Sequence, residues 1–233
     1  MKNYPSLGSG TKYYEKLETY VTEKGLTFDP KDEITIEDFF KEVDEPILKV
    51  ADCNFCDRDY VPIKLNKNGK PSATQKEIIS DSDHEGHLVV YNGVHEDWDD
   101  DSAEWLYCIT FDGHIVKIGM TITSLKKRYG SYICGVRRSM KKGTCSTTNF
   151  VVNEINYAAL LQGYDVEIFG IRVPERKDTE TRFGITKEIS NSIVRDIEEM
   201  LTDAFIETTG HIPVLCVQKG KSTNAGNLES FLE

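Results

Sequence analysis

The sequence predicts an α+β domain: a small three-stranded antiparallel sheet flanked by helices, preceded by a helical and irregular extension. Three observations predict it. Two apolar runs rich in aromatic and β-branched residues, 105–111 and 114–120, flank Asp112-Gly113, which is the pattern of a β-hairpin. A third run of this kind, 165–173, follows a helical stretch near 153–162. Finally, 186–206 repeats apolar residues at helical spacing and is the longest predicted helix.

Taken in order, residues 10–24 read as an amphipathic helix that stops at Gly25, with Tyr14, Leu17 and Val21 on one face. Residues 35–40 begin a second short helix with Glu37 and Asp38 in its first turn, where acids suit the positive helix end. The stretch 50–93 mixes short apolar pieces (60–65 and 88–91) with Asn-Gly and Pro, and reads as irregular loops with one or two short hairpins. Residues 95–104 gather six acids around Trp98 and read as a connecting loop. After the hairpin, Thr123 or Ser124 caps a helix through Tyr132, and a polar link, 141–148, leads to the next helix. The expected division is an accessory region over 1–103, a core over 104–217 and a polar tail over 218–233.

Composition narrows the function. With 39% apolar and 10% aromatic residues, the chain of 233 can bury a core. No apolar run is long enough to span a membrane, and residues 1–9 lack the core of a secretory signal. Six cysteines over this length do not form a disulfide scaffold, so a reducing cytoplasm is expected. A net charge of −11 argues against a protein that coats nucleic acid non-specifically. Yet no Asp or Glu occurs from Gly113 to Asn153, where Lys117, Lys126, Lys127, Arg128, Arg137, Arg138, Lys141 and Lys142 give a local +8. The remainder then carries −19, that is −11 less +8. Such an island suits one polyanion-facing surface on a repelling body, although a charge run is also what an ordinary solvated helix face looks like.

Hairpin register decides which side chains meet. A two-residue loop at Asp112-Gly113 sets Tyr107 opposite Ile118 and sends Lys117 to the other face. A three-residue turn, Phe111-Asp112-Gly113, with glycine left-handed in a bulged turn, sets Tyr107 opposite Lys117 on one face, and this register is expected. An ammonium beside a phenol favours the phenolate, which can take a proton from water. On the following helix Arg128 and Tyr132 are four residues apart and share a face, and the planar arginine fork suits a phosphate.

At these residues the sequence resembles the GIY-YIG nuclease family. Leu106-Tyr107-Cys108 stands at the first tripeptide and Lys117-Ile118-Gly119 at the second, followed by the helix arginine. Only Tyr107 remains of the first motif, Lys117 replaces the second motif's tyrosine, and Tyr132 stands where the family has a histidine. These replacements resemble the type II restriction endonuclease branch. The resemblance covers roughly residues 104–217 and implies a site-specific endonuclease for double-stranded DNA that uses Mg²⁺ or Mn²⁺. It further implies Tyr107 as base helped by Lys117, Arg128 on the scissile phosphate, Tyr132 as positioner, and a later helix carboxylate for the metal. On 186–206 the apolar stripe runs through Ile189, Ile193, Ile197, Met200, Leu201, Ala204 and Phe205. Glu198 lies at its edge and Glu199 nearly opposite, so Glu198 is the metal candidate. Lys126, Lys127, Arg137, Arg138, Lys141 and Lys142 are the expected DNA contacts, and a palindromic site favours a homodimer by analogy. The alternatives are a mobile-element or DNA-repair enzyme of the same family, and a non-catalytic DNA-binding module.

Other groups carry less. Cys53 and Cys56, with His84 and His87, have half the spacing of a structural Zn²⁺ site, but reduced cysteines and surface histidines are the reading adopted. Cys108, Cys134, Cys145 and Cys216 read as structural. The acidic run 96–104 can hold the basic island closed or form a solvated linker, and the second is expected. In the tail, Lys219 and Lys221 can touch phosphate.

Overall fold

The central sheet grows outward from a strand buried on both faces. Trp105, Leu106, Tyr107, Cys108, Ile109 and Phe111 are all buried on β5 (Glu104–Phe111), so the strand reads as a continuous apolar run rather than an alternating one. The computed structural model describes residues 17–22, 24–57, 67–70, 87–136, 139, 145–173 and 176–216. A two-residue pair, β1 (Val21–Thr22) and β2 (Gly25–Leu26), precedes α1 (Ile36–Glu42). Then follow β3 (Leu48–Asp57), β4 (His87–Asn92), β5 and β6 (His114–Thr121). The second half holds α2 (Leu125–Ile133), α3 (Thr147–Leu161), β7 (Val166–Val173), the hairpin β8 (Arg176–Arg182) and β9 (Ile185–Asn191), and α4 (Val194–Thr209).

The sheet has five strands in the order β4-β3-β7-β5-β6, with every neighbouring pair antiparallel. The α+β class holds, but the sheet is larger than the three strands expected, because β3 and β4 pair and join it through β7. Their signal was hidden by a bulge between Lys49 and Ala51, which breaks the alternation of Val50, Cys53 and Phe55, and by polar residues on the open face. The apolar piece 60–65 lies outside the described residues.

Two helical expectations shift. Within 10–24, residues 17–20 are helical, but the chain turns to β1 at Val21, before Gly25; residues 10–16 lie outside the described set. The predicted helix over 186–206 begins only at Val194, since 185–191 pairs with 176–182 as a hairpin. The turn Phe183-Gly184 and the hydroxyl residues Thr186 and Ser190 favour strand over helix there. Gly210, left-handed at φ 83°, ends α4 by donating its N–H to Ile206 O. The helix expected near 153–162 starts earlier, at Thr147, where Ser146 Oγ accepts from the Asn149 amide.

Each face of the sheet has its own core. Trp105, Tyr107, Ile109, Phe111 and Val116 pack with Tyr129 and Tyr132 of α2 and with Phe150, Val151, Val152 and Ile155 of α3. Leu106, Cys108, Ile115 and Ile118 point the other way, onto Phe39 and Phe40 of α1 and Val194, Leu201 and Phe205 of α4. The exposed edge strand β6 is covered by two segments from far apart in the chain. Ile115 N donates to Ile34 O and Ile36 N to Gly113 O at its start, while Leu215 N donates to Val116 O further along. At Ile118 a thiol completes the ladder: the backbone N–H donates to Cys216 Sγ at 3.4 Å and the Cys216 thiol donates to the carbonyl at 3.2 Å.

The Phe205 ring meets Phe39 edge-on at 5.4 Å and joins α4 to α1. Phe205→Ala is expected to lower unfolding free energy by roughly 3–5 kcal/mol, measured by denaturant titration.

Candidate active site

A tight turn sets up the site. Asp112 and Gly113, both left-handed at φ 49° and 80°, form a two-residue turn, and Phe111 pairs with His114. This corrects the expected three-residue turn. Between Thr110↔Ile115 and Ile109↔Lys117, however, the register shifts and Val116 has no partner on β5. That extra residue restores the parity which a two-residue turn alone would lose. Tyr107 therefore pairs with Gly119 and Ile109 with Lys117, so Tyr107 and Lys117 share a face without being directly opposed.

Gly119 explains how the Tyr107 ring is held. A Cβ on Gly119 would stand 2.5 Å from the Tyr107 hydroxyl and 2.6 Å from Cζ, so the ring lies flat across the space that only glycine leaves. The close approach at this position is thus to a side chain of the partner strand. Beyond Thr121 the chain enters α2, and the Ser124 N–H, at the position just before the helix, donates to Asp101 Oδ1 at 3.1 Å.

On α2, Arg128 and Tyr132 face Tyr107 together. Arg128 Nε donates to the Tyr107 hydroxyl and Nη2 to the Tyr132 hydroxyl, each at 2.9 Å, and the two hydroxyls are 2.6 Å apart. The guanidinium also lies 4.5 Å from the centroid of the Tyr132 ring, a cation–π distance. Proton counting follows from the geometry. Two phenols carry two protons, one bridges the oxygens, and the other has no place in the triangle because Arg128 supplies only donors. Of the five arginine N–H groups, the two used here leave three for another acceptor. Tyr129, which sequence reasoning passed over, packs edge-on to both Tyr107 and Tyr132 and stacks on Trp98. Its spacing from Leu125 on one helix face was the signal that could have found it.

Burial outweighs charge at these phenols. Desolvation, then the neighbouring Tyr132, push Tyr107 well above its ordinary pKa, and Arg128 and Lys117 offset this only in part. Tyr132 is raised by burial too, with Arg128 and the Tyr107 hydroxyl pulling it back. Lys117 does pull Tyr107 towards the phenolate, as expected, but burial exceeds that pull. Lys117 itself is 5% exposed, and its Nζ donates to Leu215 O at 3.4 Å.

The acidic run is not a solvated linker. Residues 96–99 form a 3₁₀ turn that buries Trp98 against Tyr129. Asp99 pairs with Lys126, Asp101 with Lys127, and Asp100 with Arg172 at 2.7 Å. The Lys127 ammonium, and then the Ser124 amide, hold Asp101 down to about 2. Two expected DNA contacts, Lys126 and Lys127, are thus engaged by carboxylates. Arg137, Arg138, Lys141 and Lys142 lie outside the described residues.

Glu198 sits on α4 one turn after Val194 and one before Thr202, both buried, so it falls within the inward line rather than at its edge, and it is half-buried. Met200, expected in the stripe, is 68% exposed, and Glu199 is exposed as expected. α4, which carries Glu198, packs on the Leu106 and Ile118 side of the sheet, the face opposite Tyr107. Among the described residues no group of three His, Cys, Asp or Glu could hold a metal. Cys53 and Cys56 lie three apart on β3 and so project to opposite faces, which does not suit joint ligation of Zn²⁺; His84 lies outside the described residues and His87 is exposed on β4. No described cysteine is in a disulfide, and no described helix is long and apolar enough to cross a membrane.

Two outcomes are expected. Gly119→Ala forces the Tyr107 ring aside and lowers stability by roughly 1–3 kcal/mol, read by thermal unfolding, as overpacking does. Tyr91, Tyr107, Tyr129 and Tyr132 all have folded pKa values above the ordinary 10.0. Their neutral forms therefore contribute stability below pH 10 that is lost as pH rises beyond it. In an absorbance titration at 295 nm these phenols should ionise only with loss of the near-ultraviolet dichroism of the fold.

No protein-family model matches this chain, and no curated protein matches it. Among solved structures, the chain is similar to restriction endonuclease HPY188I in complex with product DNA, at 27% identity and a TM-score of 0.43, with 82% of this chain and 90% of that chain covered. It is also similar to a mutant of bacteriophage T4 EndoII, at 15% identity and a TM-score of 0.41, with 76% of this chain and 96% of that chain covered.

Proposed function

We propose that this chain is a metal-dependent, site-specific endonuclease that hydrolyses phosphodiester bonds in double-stranded DNA, of restriction type. The observation that carries the reading is the triangle of Tyr107, Tyr132 and Arg128, in which one guanidinium holds two buried phenols and keeps donors in reserve. The resemblance of 106–108 and 117–119 to the two GIY-YIG tripeptides supports the same reading.

In this reading Arg128 turns its remaining N–H groups to the scissile phosphate and binds the charge that develops there. The phenol pair is the base. With one proton lost to solvent, the pair is a monoanion whose charge the short bond between the two oxygens shares; on taking the proton of the attacking water it becomes neutral again. For the pair to be ionised near neutral pH, positive charge must outweigh burial, and Arg128 and Lys117 both pull that way. Glu198 fits a Mg²⁺ or Mn²⁺ ion, since a hard ion of this kind is held by one or two carboxylates and completed by substrate phosphate and water. When bound, the ion supplies stabilisation of the leaving oxygen. The 1–103 region and the basic residues of 126–142 serve recognition and grip, and a two-fold homodimer suits a palindromic target.

Tyr107→Phe is expected to slow cleavage of plasmid DNA in Mg²⁺ by about 10²–10⁴-fold, with binding retained in a gel-shift measurement. Arg128→Ala should cost roughly 10²–10³-fold. Glu198→Gln should abolish cutting while thermal stability stays near that of the parent chain; unchanged cutting moves the metal role elsewhere. Discrete fragments from a phage genome support restriction, nicks confined to distorted DNA point to a repair-type enzyme, and intact DNA across pH and metal sinks the enzyme reading.

A further inference from the structure

The hairpin β8–β9 ends in a side chain that no packing argument explains. Phe183 is 99% exposed at the tip, and Ile185 beside it is 61% exposed. Phe183 and Gly184 form a two-residue turn with φ of 55° and 74°. Such turns favour Asn, Asp or Gly at the first position, because left-handed backbone is unfavourable for a bulky side chain. A phenylalanine here bears both the conformational strain and the exposure of a ring to water, and strained backbone of this kind clusters at ligand-binding sites.

The surroundings of the tip are polar. The ribbon is hydroxyl-rich and mixed in charge: Thr181 and Thr186 hydroxyls meet across it at 2.9 Å, and Arg182, paired with Glu180, and Lys187 flank the tip. Chain connections place its root. β5 begins at Glu104, which pairs with Val173 at the end of β7, while Trp105 pairs with Thr121 at the end of β6. The hairpin therefore leaves the sheet from the same end at which β6 passes into α2 and Arg128. A two-stranded ribbon fits a DNA groove, and an apolar side chain at a tip is the kind that parts a base step and kinks the duplex.

We propose that β8–β9 is the groove-reading arm of this chain and that Phe183 wedges into a base step of double-stranded DNA. The inference rests on the nuclease reading. The wedge unstacks one step and bends the duplex towards the sheet end that carries Arg128. Because the ring is exposed, Phe183 can be changed without touching the core.

The test uses the full chain with Phe183→Trp and phage genomic DNA, with Ca²⁺ in place of Mg²⁺. The two native tryptophans, Trp98 and Trp105, are buried and serve as background measured on the parent chain. Binding of DNA should quench the new indole emission and shield it from iodide, and Phe183→Ala should cut the genome roughly tenfold more slowly in Mg²⁺, at an unchanged thermal midpoint. If the parent chain cuts but the indole stays open to iodide and Phe183→Ala cuts at the parent rate, the wedge is refuted and the nuclease reading stands. Shielding that grows with protein concentration in the absence of DNA overturns it in favour of contact between copies. A parent chain that neither binds nor cuts DNA removes both readings.

Discussion

One unpaired residue, Val116, governs which side chains can meet. A two-residue turn fixes the start of the β5–β6 ladder, and without the bulge every residue beyond it would face the other way. With the bulge, Lys117 and Gly119 both join the Tyr107 face, and Gly119 falls where its missing Cβ makes room for the Tyr107 ring. The ring's position in turn fixes its hydroxyl, and α2 needs only to present Arg128 and Tyr132 one turn apart to close the triangle. Turn, bulge, glycine and helix face are thus links of one chain of geometry.

The triangle is held in a setting that opposes ionisation. The phenols are fully buried, with Tyr129 edge-on to both, and desolvation exceeds the pull of the nearby cations. Outside, carboxylates occupy the lysines next to Arg128. These pairs are exposed, so each holds its lysine only weakly against a competing polyanion. Buried neutral phenols thus lie beneath an outer layer of exchangeable ion pairs.

Much of the core was legible in the sequence, for physical reasons. Asp112-Gly113 announced the hairpin because few other residues tolerate left-handed backbone, and Arg128 and Tyr132 could be placed together from helical spacing alone. The same-face relation of Tyr107 and Lys117 was also legible, but by a mistaken route: a bulge has no sequence mark as strong as a glycine turn, so the extra residue was assigned to the loop. β3 and β4 were missed because a bulge and polar residues mask their alternation. The hairpin over 176–191 was missed because Ile185, Ile189 and Ile193 also satisfy helical spacing. What spacing cannot give is burial, and burial reverses the pKa argument at Tyr107.

The cover of the edge strand has a consequence for how the molecule is made. β6 is sealed by residues 34–36 on one side and by Leu215 and Cys216 on the other, and Lys117 is tied to the carbonyl of Leu215. A ribosome presents residue 34 long before residue 215, so a nascent chain that already holds both phenols and the arginine still has a raw strand edge and an untethered lysine. Closure of the sheet edge is thereby tied to the release of the last part of the fold, and a truncated product lacks the clasp that completes it.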